Sequence, residues 1–357
     1  MASENGHQAT VKTRILIISD THAAPLEHDP SDGAKRPPVP PFKAPLPEAD
    51  LLIHAGDLTM MGRMSEYHDT LDMLKTIKAP AKLVIAGNHD LSLDHEYMRS
   101  HLDEGEPVSQ ADQQASEARQ LWTSPEGRAK QEGVTFLDEG SHLIRLPNGA
   151  EVKIYASPYT PEFCDWGFPY EHNEDRFNTP STSLSDAINI APYPVPSFRS
   201  EIGAPVDITI THGPPYQRLD WTISGDRVGC PHLLRAMMRA RPLLSVFGHI
   251  HEGWGAERVA WTPEADAVCD QSCKINDWKN GAWKAGVAGN GQQIERLQPD
   301  LEKAEENHGV LLDVSSGSER PLVRGNETLM VNAAIMDVSY KPVNGPWLVT
   351  LDLPKAP

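Results

Sequence analysis

Five apolar segments of this chain each run directly into a side chain that can bind a metal ion. The five segments are short and rich in β-branched residues, a pattern that is typical of buried strands. They occupy residues 15–18, 51–53, 83–85, 208–210 and 243–247. Because an open α/β sheet forms its ligand site beyond the carboxyl ends of its strands, we expect the polar residues that follow these segments to meet at one place.

The residues that follow the five segments combine carboxylate, amide and imidazole groups. They read Asp20-Thr21-His22, Gly56-Asp57, Gly87-Asn88-His89-Asp90, His212 within Thr-His-Gly-Pro-Pro, and Gly248-His249-Ile250-His251. Taken alone, the first two motifs and His212 are more often turns or structural residues than metal ligands. The Gly-Asn-His-Asp motif is far more specific, and two histidines at a two-residue spacing are a frequent metal arrangement. Five motifs in order, each after a predicted strand, instead indicate a metal centre. A mixed nitrogen and oxygen donor set favours Mn, Fe or Zn over Ca or Mg, which prefer oxygen ligands.

The charge and the cysteine content argue against several other classes of protein. The chain has 357 residues, a formal net charge of −18 and four cysteines. An acidic surface disfavours non-specific binding to the nucleic acid backbone, and four scattered cysteines do not suggest a disulfide framework. The amino terminus is polar, and no apolar run reaches membrane-spanning length. We therefore expect a cytoplasmic protein without a membrane partner, and nucleic acid is not a favoured partner.

The pattern along the chain predicts one domain with two long interruptions. Residues 1–12 are expected to form a disordered tail, and residues 13–357 a single domain. A proline-rich surface loop is predicted at 23–49, and a polar, glycine-rich insertion of irregular structure at 256–325. Helices are predicted at 64–77 and 232–241 and within 94–131, and two closing strands at 328–335 and 347–353.

The ordered motif series resembles that of the calcineurin-like metallophosphoesterase superfamily. Several phrases are similar to one branch of it, the metallophosphoesterase domain-containing proteins. These phrases are Ile-Ser-Asp-Thr-His, Val-Ile-Ala-Gly-Asn-His, Trp-Gly-Phe at 166–168, Arg-Val-Gly-Cys at 227–230, His-Glu-Gly-Trp-Gly at 251–255 and Val-Asn-Ala at 331–333. The resemblance covers about 14–98, 133–255 and 328–354. Mammalian members of the branch can carry glycine at the position that matches His249, where this chain keeps histidine.

The resemblance implies a fold, a reaction and a role for each motif residue. The implied fold is α/β, a four-layer αββα sandwich of two mixed sheets. Asp20, His22 and His251 would hold a first divalent ion, Asn88, His212 and His249 a second, and Asp57 would bridge the two. Two such ions clamp both sides of an in-line displacement, and a hydroxide held between them is a nucleophile at neutral pH. His89 would assist the leaving group without binding a metal, with Asp90 as its candidate partner.

The resemblance implies a small phosphorylated substrate, but it indicates the type of reaction more closely than the identity of that substrate. The branch resemblance favours a phosphodiesterase that acts on nucleotide-like substrates such as cyclic nucleotides, with Mn as the favoured metal. The alternatives are a phosphomonoesterase or a pyrophosphatase and, in another class, a non-catalytic scaffold that retains the fold. Candidate substrate contacts are Trp166, Phe168, Arg218, Trp221 and Asn332, although aromatic residues in such loops are more often ordinary packing.

Overall fold

The computed structural model describes residues 9–26, 42–102, 104–199, 205–262, 265 and 292–357. Its strands are Thr10–Ile18 (β1), Leu51–His54 (β2), Ala81–Val84 (β3), Val134–Phe136 (β4), Gly140–Arg145 (β5), Glu151–Ser157 (β6), Thr160–Pro161 (β7), Pro169–Tyr170 (β8), Glu174–Asp175 (β9), Ile188–Asn189 (β10), Ile208–Thr211 (β11), Leu244–Phe247 (β12), Gly255–Trp261 (β13), Gln292–Arg296 (β14), Val310–Asp313 (β15), Glu327–Asn332 (β16) and Trp347–Pro354 (β17). Its α-helices are Met64–Thr76 (α1), His95–Ser100 (α2), Val108–Thr123 (α3), Arg128–Gln131 (α4), Pro231–Ala240 (α5) and Leu301–Glu306 (α6), with single 3₁₀ turns at Leu91–Leu93 and His251–Gly253.

Two large mixed sheets account for most of the strands. Within the described residues, the first sheet has the order β15-β17-β1-β2-β3-β4 and the second the order β14-β13-β16-β12-β11-β6-β5. In the first sheet β1, β2, β3 and β4 run parallel, and β17 is antiparallel to β1. In the second sheet β6, β11, β12 and β16 run parallel, and β5 and β13 are antiparallel to their neighbours. Each sheet therefore sends several carboxyl strand ends to one edge.

The two sheets enclose a shared apolar core. Alternate residues of a strand lie on opposite faces, and in β1 Ile15 and Ile17 belong to this core. The second sheet contributes Ile154 of β6 and Ile210 of β11 to the same cluster. All four side chains are fully buried, so the faces that the strands turn towards each other form the interior of the molecule.

Helices cover the outer faces of both sheets. On the first sheet, Leu16 belongs to an apolar cluster with Leu71 of α1 and Trp122 of α3. On the second sheet, Phe247 of β12 belongs to a cluster with Met237 of α5. The layers therefore run helix, sheet, sheet, helix, and the predicted four-layer sandwich of two mixed sheets is confirmed.

The sheets are joined at the edge where the carboxyl strand ends lie. Just after β1, the Ser19 backbone N–H donates to the Ala333 carbonyl oxygen (3.0 Å), and the Ile335 N–H donates to the Ser19 carbonyl oxygen (2.9 Å). Ala333 and Ile335 follow β16 of the other sheet. This backbone bridge brings the loop after β1 against the loops of the second sheet.

Strands and a helix occupy about half of the described part of the insertion predicted at 256–325, so the expectation of irregular structure throughout is wrong. β13 pairs with β16 and β14, and β15 pairs with β17. Strand periodicity is hard to recognise here because a buried acid, Glu257, lies inside β13, where Arg218 pairs with its carboxylate at 3.3 Å. Residues 263–264 and 266–291 of the predicted insertion lie outside the described residues.

Two further boundaries differ from the sequence-based expectation. The predicted tail at 1–12 overlaps β1, because Thr10 and Val11 pair with Pro354 and Leu353 of β17; residues 1–8 lie outside the described part. The carboxyl end of the predicted surface loop at 23–49 contributes to the core, since Phe42 is fully buried beneath the helical layer. Residues 27–41 of that loop lie outside the described part as well.

Among the described helices, none combines the length and the apolar character that a membrane span requires.

Candidate metal centre

The seven predicted metal ligands come from loops at the carboxyl ends of five strands, as the motifs predicted. Asp20 and His22 follow β1, Asp57 follows β2, Asn88 follows β3, His212 follows β11, and His249 and His251 follow β12. Five of the seven are buried, with His249 and His251 partly so. The structure therefore brings both sheets' ligand candidates to the edge at which the two sheets are joined.

The backbone of this edge is strained. Four predicted ligands have left-handed backbones: Asp20 (φ 54°), His22 (46°), Asp57 (52°) and His249 (64°). A non-glycine residue in this region costs free energy and persists only where its surroundings hold it. Here the loops hold each other, since the Asp20 N–H donates to the Gly56 carbonyl oxygen at 3.0 Å and the His22 N–H to the Asp57 carbonyl oxygen at 3.1 Å. Such clustered strain is typical of functional sites.

Backbone carbonyl groups orient the imidazoles of the site. The Nδ1 atoms of three predicted ligands lie within hydrogen-bond distance of carbonyl oxygens: His22 of Thr59 (3.0 Å), His212 of Ala55 (2.9 Å) and His251 of Asp337 (2.9 Å). A carbonyl oxygen can only accept, so Nδ1 carries the proton in each ring. In the neutral ring Nε2 then carries no proton and can bind a metal ion through its lone pair, which is the arrangement found in metal-binding histidines.

The two buried carboxylates lie among these Nε2 atoms. Asp57 Oδ1 is 3.3 Å from His212 Nε2, and Asp57 Oδ2 is 3.7 Å from His22 Nε2. Asp20 Oδ1 is 3.5 Å from His251 Nε2. Asp20 also accepts the His249 N–H on both oxygens at 3.0 Å. Asp57 thus contacts histidines from both sheets, as its predicted bridging position requires.

Nε2 of His212 lies at a position that attracts positive charge. It lies 2.8 Å from Asn88 Oδ1 as well as 3.3 Å from Asp57 Oδ1. Burial lowers the pKa of His212, but the Asp57 carboxylate offsets this effect and raises that pKa to about 9. In the absence of a metal, the site therefore holds a proton between these acceptors, and a divalent cation could replace it.

Two other imidazoles of the centre, those of His22 and His249, favour the neutral form that binds metals. Burial lowers the pKa of His22 to about 4, although Asp57 opposes the shift. Burial, assisted by His212, lowers the pKa of His249 to about 3. Burial alone would raise the pKa of Asp20, but His251 and His212 lower it to about 2. Neutral imidazoles beside ionised carboxylates form a donor set that divalent transition metals accept.

The possible metal-ligand atoms also lie close enough together to bind the same ion. Three overlapping groups have their donor atoms within 4.8 Å of one another: Asp20, His22 and His251; Asp20, Asp57 and His212; and His22, Asp57 and His89. His22 Nε2 is buried and has no hydrogen-bond partner. A buried imidazole nitrogen without a partner is costly in a folded protein unless a ligand completes it. The residues of these groups therefore fit a divalent metal ion.

His89 lies at the centre, but Asp90 is not its partner. His89 Nδ1 lies 2.8 Å from the Met60 carbonyl oxygen. The Asp90 carboxylate instead accepts the Leu58, Thr59 and Gly87 N–H groups and the Thr59 hydroxyl. The predicted pairing of Asp90 with His89 is therefore wrong, because these donors occupy the carboxylate. Asp90 connects the loops after β2 and β3 and so fixes the position of the His89 loop.

Trp166 is the predicted substrate contact that the structure places against the centre. Its ring stacks on His89 with centroids 3.9 Å apart and planes 27° apart. The next two residues anchor it, since the Gly167 N–H donates to the Asn88 carbonyl oxygen (3.1 Å) and the Phe168 N–H to Asp94 (2.6 Å). Phe168 itself is 7% exposed and packs in the apolar cluster beneath α1 and α3. Its role is therefore ordinary packing, which was the alternative to substrate contact for this residue.

Two other predicted substrate contacts are occupied by structural interactions. Arg218 is buried and forms its ion pair with Glu257. Asn332 is fully buried, and its amide group donates to the carbonyl oxygens of Leu219 (3.1 Å) and Ile250 (2.9 Å). Asn332 therefore holds the loop that carries His249 and His251 without facing a substrate. The third, Trp221, is 44% exposed and stacks with Arg227, whose guanidinium carbon lies 4.0 Å from the ring centroid.

Sequence reasoning missed several residues outside the motifs that contact or orient the site. Tyr340 contacts His22, His89 and His251 through its ring. The carbonyl oxygens of Met60 and Asp337 orient His89 and His251. A carbonyl group has no sequence signature, and Tyr340 lies in a turn without a recognisable motif, so no local signal identifies either.

The comparison with family models decides the family. The model described as calcineurin-like phosphoesterase matches residues 13–253. This chain belongs to the calcineurin-like phosphoesterase family. The match spans all five strand-end motifs, and the predicted superfamily and enzyme class, a metal-dependent phosphoesterase, are confirmed. Family membership also supports dependence on divalent metal, in agreement with the donor set described above.

Individual relatives of this calcineurin-like chain agree with that assignment. The human and mouse proteins named metallophosphoesterase domain-containing protein 1 are each 32% identical over 72% of the chain. A protein of Emericella nidulans named "Probable rhamnogalacturonate lyase C" is 31% identical over 70% of the chain. The chain spans 66% of each mammalian relative but only 18% of the fungal one. The name of the fungal protein therefore carries no inference for this chain.

Proposed function

We propose that this chain hydrolyses phosphodiesters with a nucleotide-like group, using two divalent transition-metal ions. The observation that carries the proposal is the convergence of buried carboxylates and carbonyl-oriented imidazoles at the joined edge of the two sheets. Asp20, His22 and His251 would hold one ion and Asp57 would contact both, while Asn88 and His249, which lie beside His212, would hold the other ion with it. Mn is the favoured metal. When bound, the two ions would neutralise phosphoryl charge and activate water at neutral pH.

His89 is assigned to the leaving group in this proposal. Met60 occupies its Nδ1 atom, which leaves Nε2 as the ring nitrogen available to a substrate. Its backbone N–H donates to Asp57 Oδ1 at 2.8 Å, so the residue is positioned by the same carboxylate that would bridge the ions. Stacking on Trp166 restrains the plane of the ring. In the imidazolium form of this ring Nε2 also carries a proton, which can pass to the departing ester oxygen and leave the neutral ring protonated at Nδ1.

The charge near the centre favours a diester over a monoester. A phosphate monoester carries roughly two negative charges at neutral pH, whereas a diester carries one. Arg218, the cation expected near the substrate, is 4% exposed and paired with Glu257. Its charge is therefore not available to a second phosphate charge. For this reason we rank phosphodiesterase activity above phosphomonoesterase or pyrophosphatase activity.

Hydrolysis of two related esters tests the proposal. With added Mn²⁺, we expect a higher kcat/KM for bis-para-nitrophenyl phosphate than for para-nitrophenyl phosphate. Both rates should fall with a chelator and in the Asp57→Asn variant, which serves as the control for contaminating phosphatases. Faster hydrolysis of the monoester would favour a phosphomonoesterase. If the wild-type protein binds two ions and hydrolyses neither ester, the scaffold alternative gains support.

A further inference from the structure

Tyr340 lies over the candidate metal centre, well beyond the last of the five strand-end motifs in the chain. Its ring centroid is 5.0 Å from that of His22 and 5.5 Å from that of His251, in edge-to-face geometry. The centroid of His89 is 5.9 Å away. Tyr340 is nevertheless 43% exposed. A ring that contacts three site histidines by its edges and remains accessible forms part of the wall of the crevice.

The turn that carries Tyr340 is built to hold it there. Tyr340 has a φ of 56°, a conformation that is rare for a bulky side chain. Asp337 stabilises it, because its carboxylate accepts the N–H groups of Ser339 (2.8 Å) and Lys341 (3.0 Å) and its carbonyl oxygen accepts that of Tyr340 (3.0 Å). The same carbonyl oxygen orients His251. The turn is therefore tied to the metal centre and keeps a strained aromatic residue above it.

Trp166 provides a second aromatic side chain next to His89. It stacks on the face of the imidazole, whereas Tyr340 approaches from the side on which His22 and His251 lie. The two aromatic residues come from different loops, one after β7 and one between β16 and β17. His89, the residue assigned to the leaving group, lies next to both. A group attached to the scissile phosphate must therefore pass close to Trp166 or Tyr340.

We propose that Tyr340 is a specificity-determining residue whose ring packs against a flat group of the substrate, such as a nucleobase or an aryl ring. Flat rings gain from contact with aromatic side chains, whereas a sugar or glycerol offers no comparable face. This inference rests on the proposed function, because it takes His89 to face the ester. It adds a residue and a chemical class of substrate that the sequence motifs do not indicate.

Equilibrium binding separates ring recognition from hydrolysis. Adenosine monophosphate and ribose 5-phosphate share the phosphorylated sugar but differ in the flat base, and both can be titrated calorimetrically into the Mn²⁺-loaded protein. We expect Tyr340→Ala to weaken binding of adenosine monophosphate by at least about fivefold, the lower end for one stacked base. Ribose 5-phosphate should bind as before. Tyr340→Phe should retain the wild-type preference because it keeps the ring.

The matched control is Tyr193→Ala, which removes another exposed tyrosine, one whose ring lies against Gly140. This control should bind both ligands like the wild type. Equal weakening of both ligands in Tyr340→Ala, or a loss in Tyr340→Phe as large as in Tyr340→Ala, would overturn the inference. Hydrolysis of bis-para-nitrophenyl phosphate is measured separately. If the wild-type protein hydrolyses no diester while the base preference still depends on Tyr340, the proposed function fails and the assignment of Tyr340 stands.

Discussion

The contacts of His89 predict how its loss will affect catalysis. The ring is restrained by Met60 and Trp166, yet its donor atom also lies within 4.8 Å of donors of His22 and Asp57. If His89 acts on the leaving group, His89→Ala should keep two bound ions and lower kcat by roughly 10²–10⁴-fold on an ester with a poor leaving group. On a para-nitrophenyl ester the loss should be smaller, because para-nitrophenolate needs little protonation.

Metal analysis of the same variant distinguishes the two possible uses of His89. The ion content is measured by elemental analysis after reloading with Mn²⁺. A stoichiometry that falls from two to one in His89→Ala would assign His89 as a ligand and contradict its leaving-group role.

The backbone conformation of His249 predicts that glycine at this position preserves the fold but weakens binding of the second metal ion. Glycine adopts a φ of 64° without strain, and the backbone N–H that holds Asp20 remains. We therefore expect His249→Gly to melt no lower than His249→Ala in the absence of metal. Both variants should lose the second ion selectively and hydrolyse the diester more slowly. Unchanged turnover in either variant would mean that one ion is sufficient for the chemistry.

At the scale of single residues, the sequence predicts the ligand set but not its surroundings. Ligand candidates could be identified because each lies within four residues of the end of an apolar strand, as His249 and His251 do after β12. The orientations of the histidine rings could not be predicted, because they depend on carbonyl oxygens such as that of Asp337, which lies 86 positions from His251 in the chain. The sequence places Arg218 and Asn332 among the candidate substrate contacts because it does not reveal their partners, which are Glu257 for Arg218 and two backbone carbonyl groups for Asn332.

At the scale of elements, the loop after β12 packs closely against the loop after β1. One carbon added at Gly248 is therefore predicted to weaken metal binding. A Cβ at Gly248 would overlap the Asp20 carboxylate and the Ser19 hydroxyl, so Gly248→Ala must displace Asp20. We expect binding of the first ion to weaken by roughly 10- to 100-fold, as when a supporting contact of a metal ligand is lost. Gly317→Ala is the control, because no atom lies within 4 Å of its added Cβ. Metal titration of both variants checks the prediction, which wild-type affinity in Gly248→Ala would contradict.

The elements that could be predicted are those whose burial follows their own sequence. The strands before the ligands are continuous apolar runs, and α1 shows its apolar face at helical spacing with Leu71 and Leu74 buried. β13 could not be predicted, because its Glu257 is buried only through pairing with Arg218 of a distant loop. β14 lies at a sheet edge with most of its side chains exposed, so it has no apolar pattern from which a strand could be inferred.

At the scale of the whole molecule, the segment at 256–325 connects both sheets. β13 supplies a neighbour for β16 in one sheet, and β15 supplies one for β17 in the other. Val259, Trp261 and Val310 of this segment are buried, and each such side chain stabilises the fold by about 1.5–3 kcal/mol. The described part of this segment therefore belongs to the folded core. Joining Ala256 directly to Glu327 should prevent folding, because the combined loss approaches the total stability of a typical domain.

A shorter excision should leave the fold intact. Trp261 of β13 pairs with Gln292 of β14, so the two ends are close in space. Residue 265 lies four positions beyond Trp261, or at most about 14 Å, and a linker of about six Gly/Ser residues can replace 266–291. We expect this variant to melt within a few degrees of the full chain, since loop closure entropy changes slowly with length.

Circular dichroism melting compares it with the Ala256–Glu327 fusion, which should show no cooperative transition. Hydrolysis of bis-para-nitrophenyl phosphate then completes the comparison: an unchanged rate shows that 266–291 is dispensable for the chemistry. Failure of the shorter excision to fold would instead place part of 266–291 in the core.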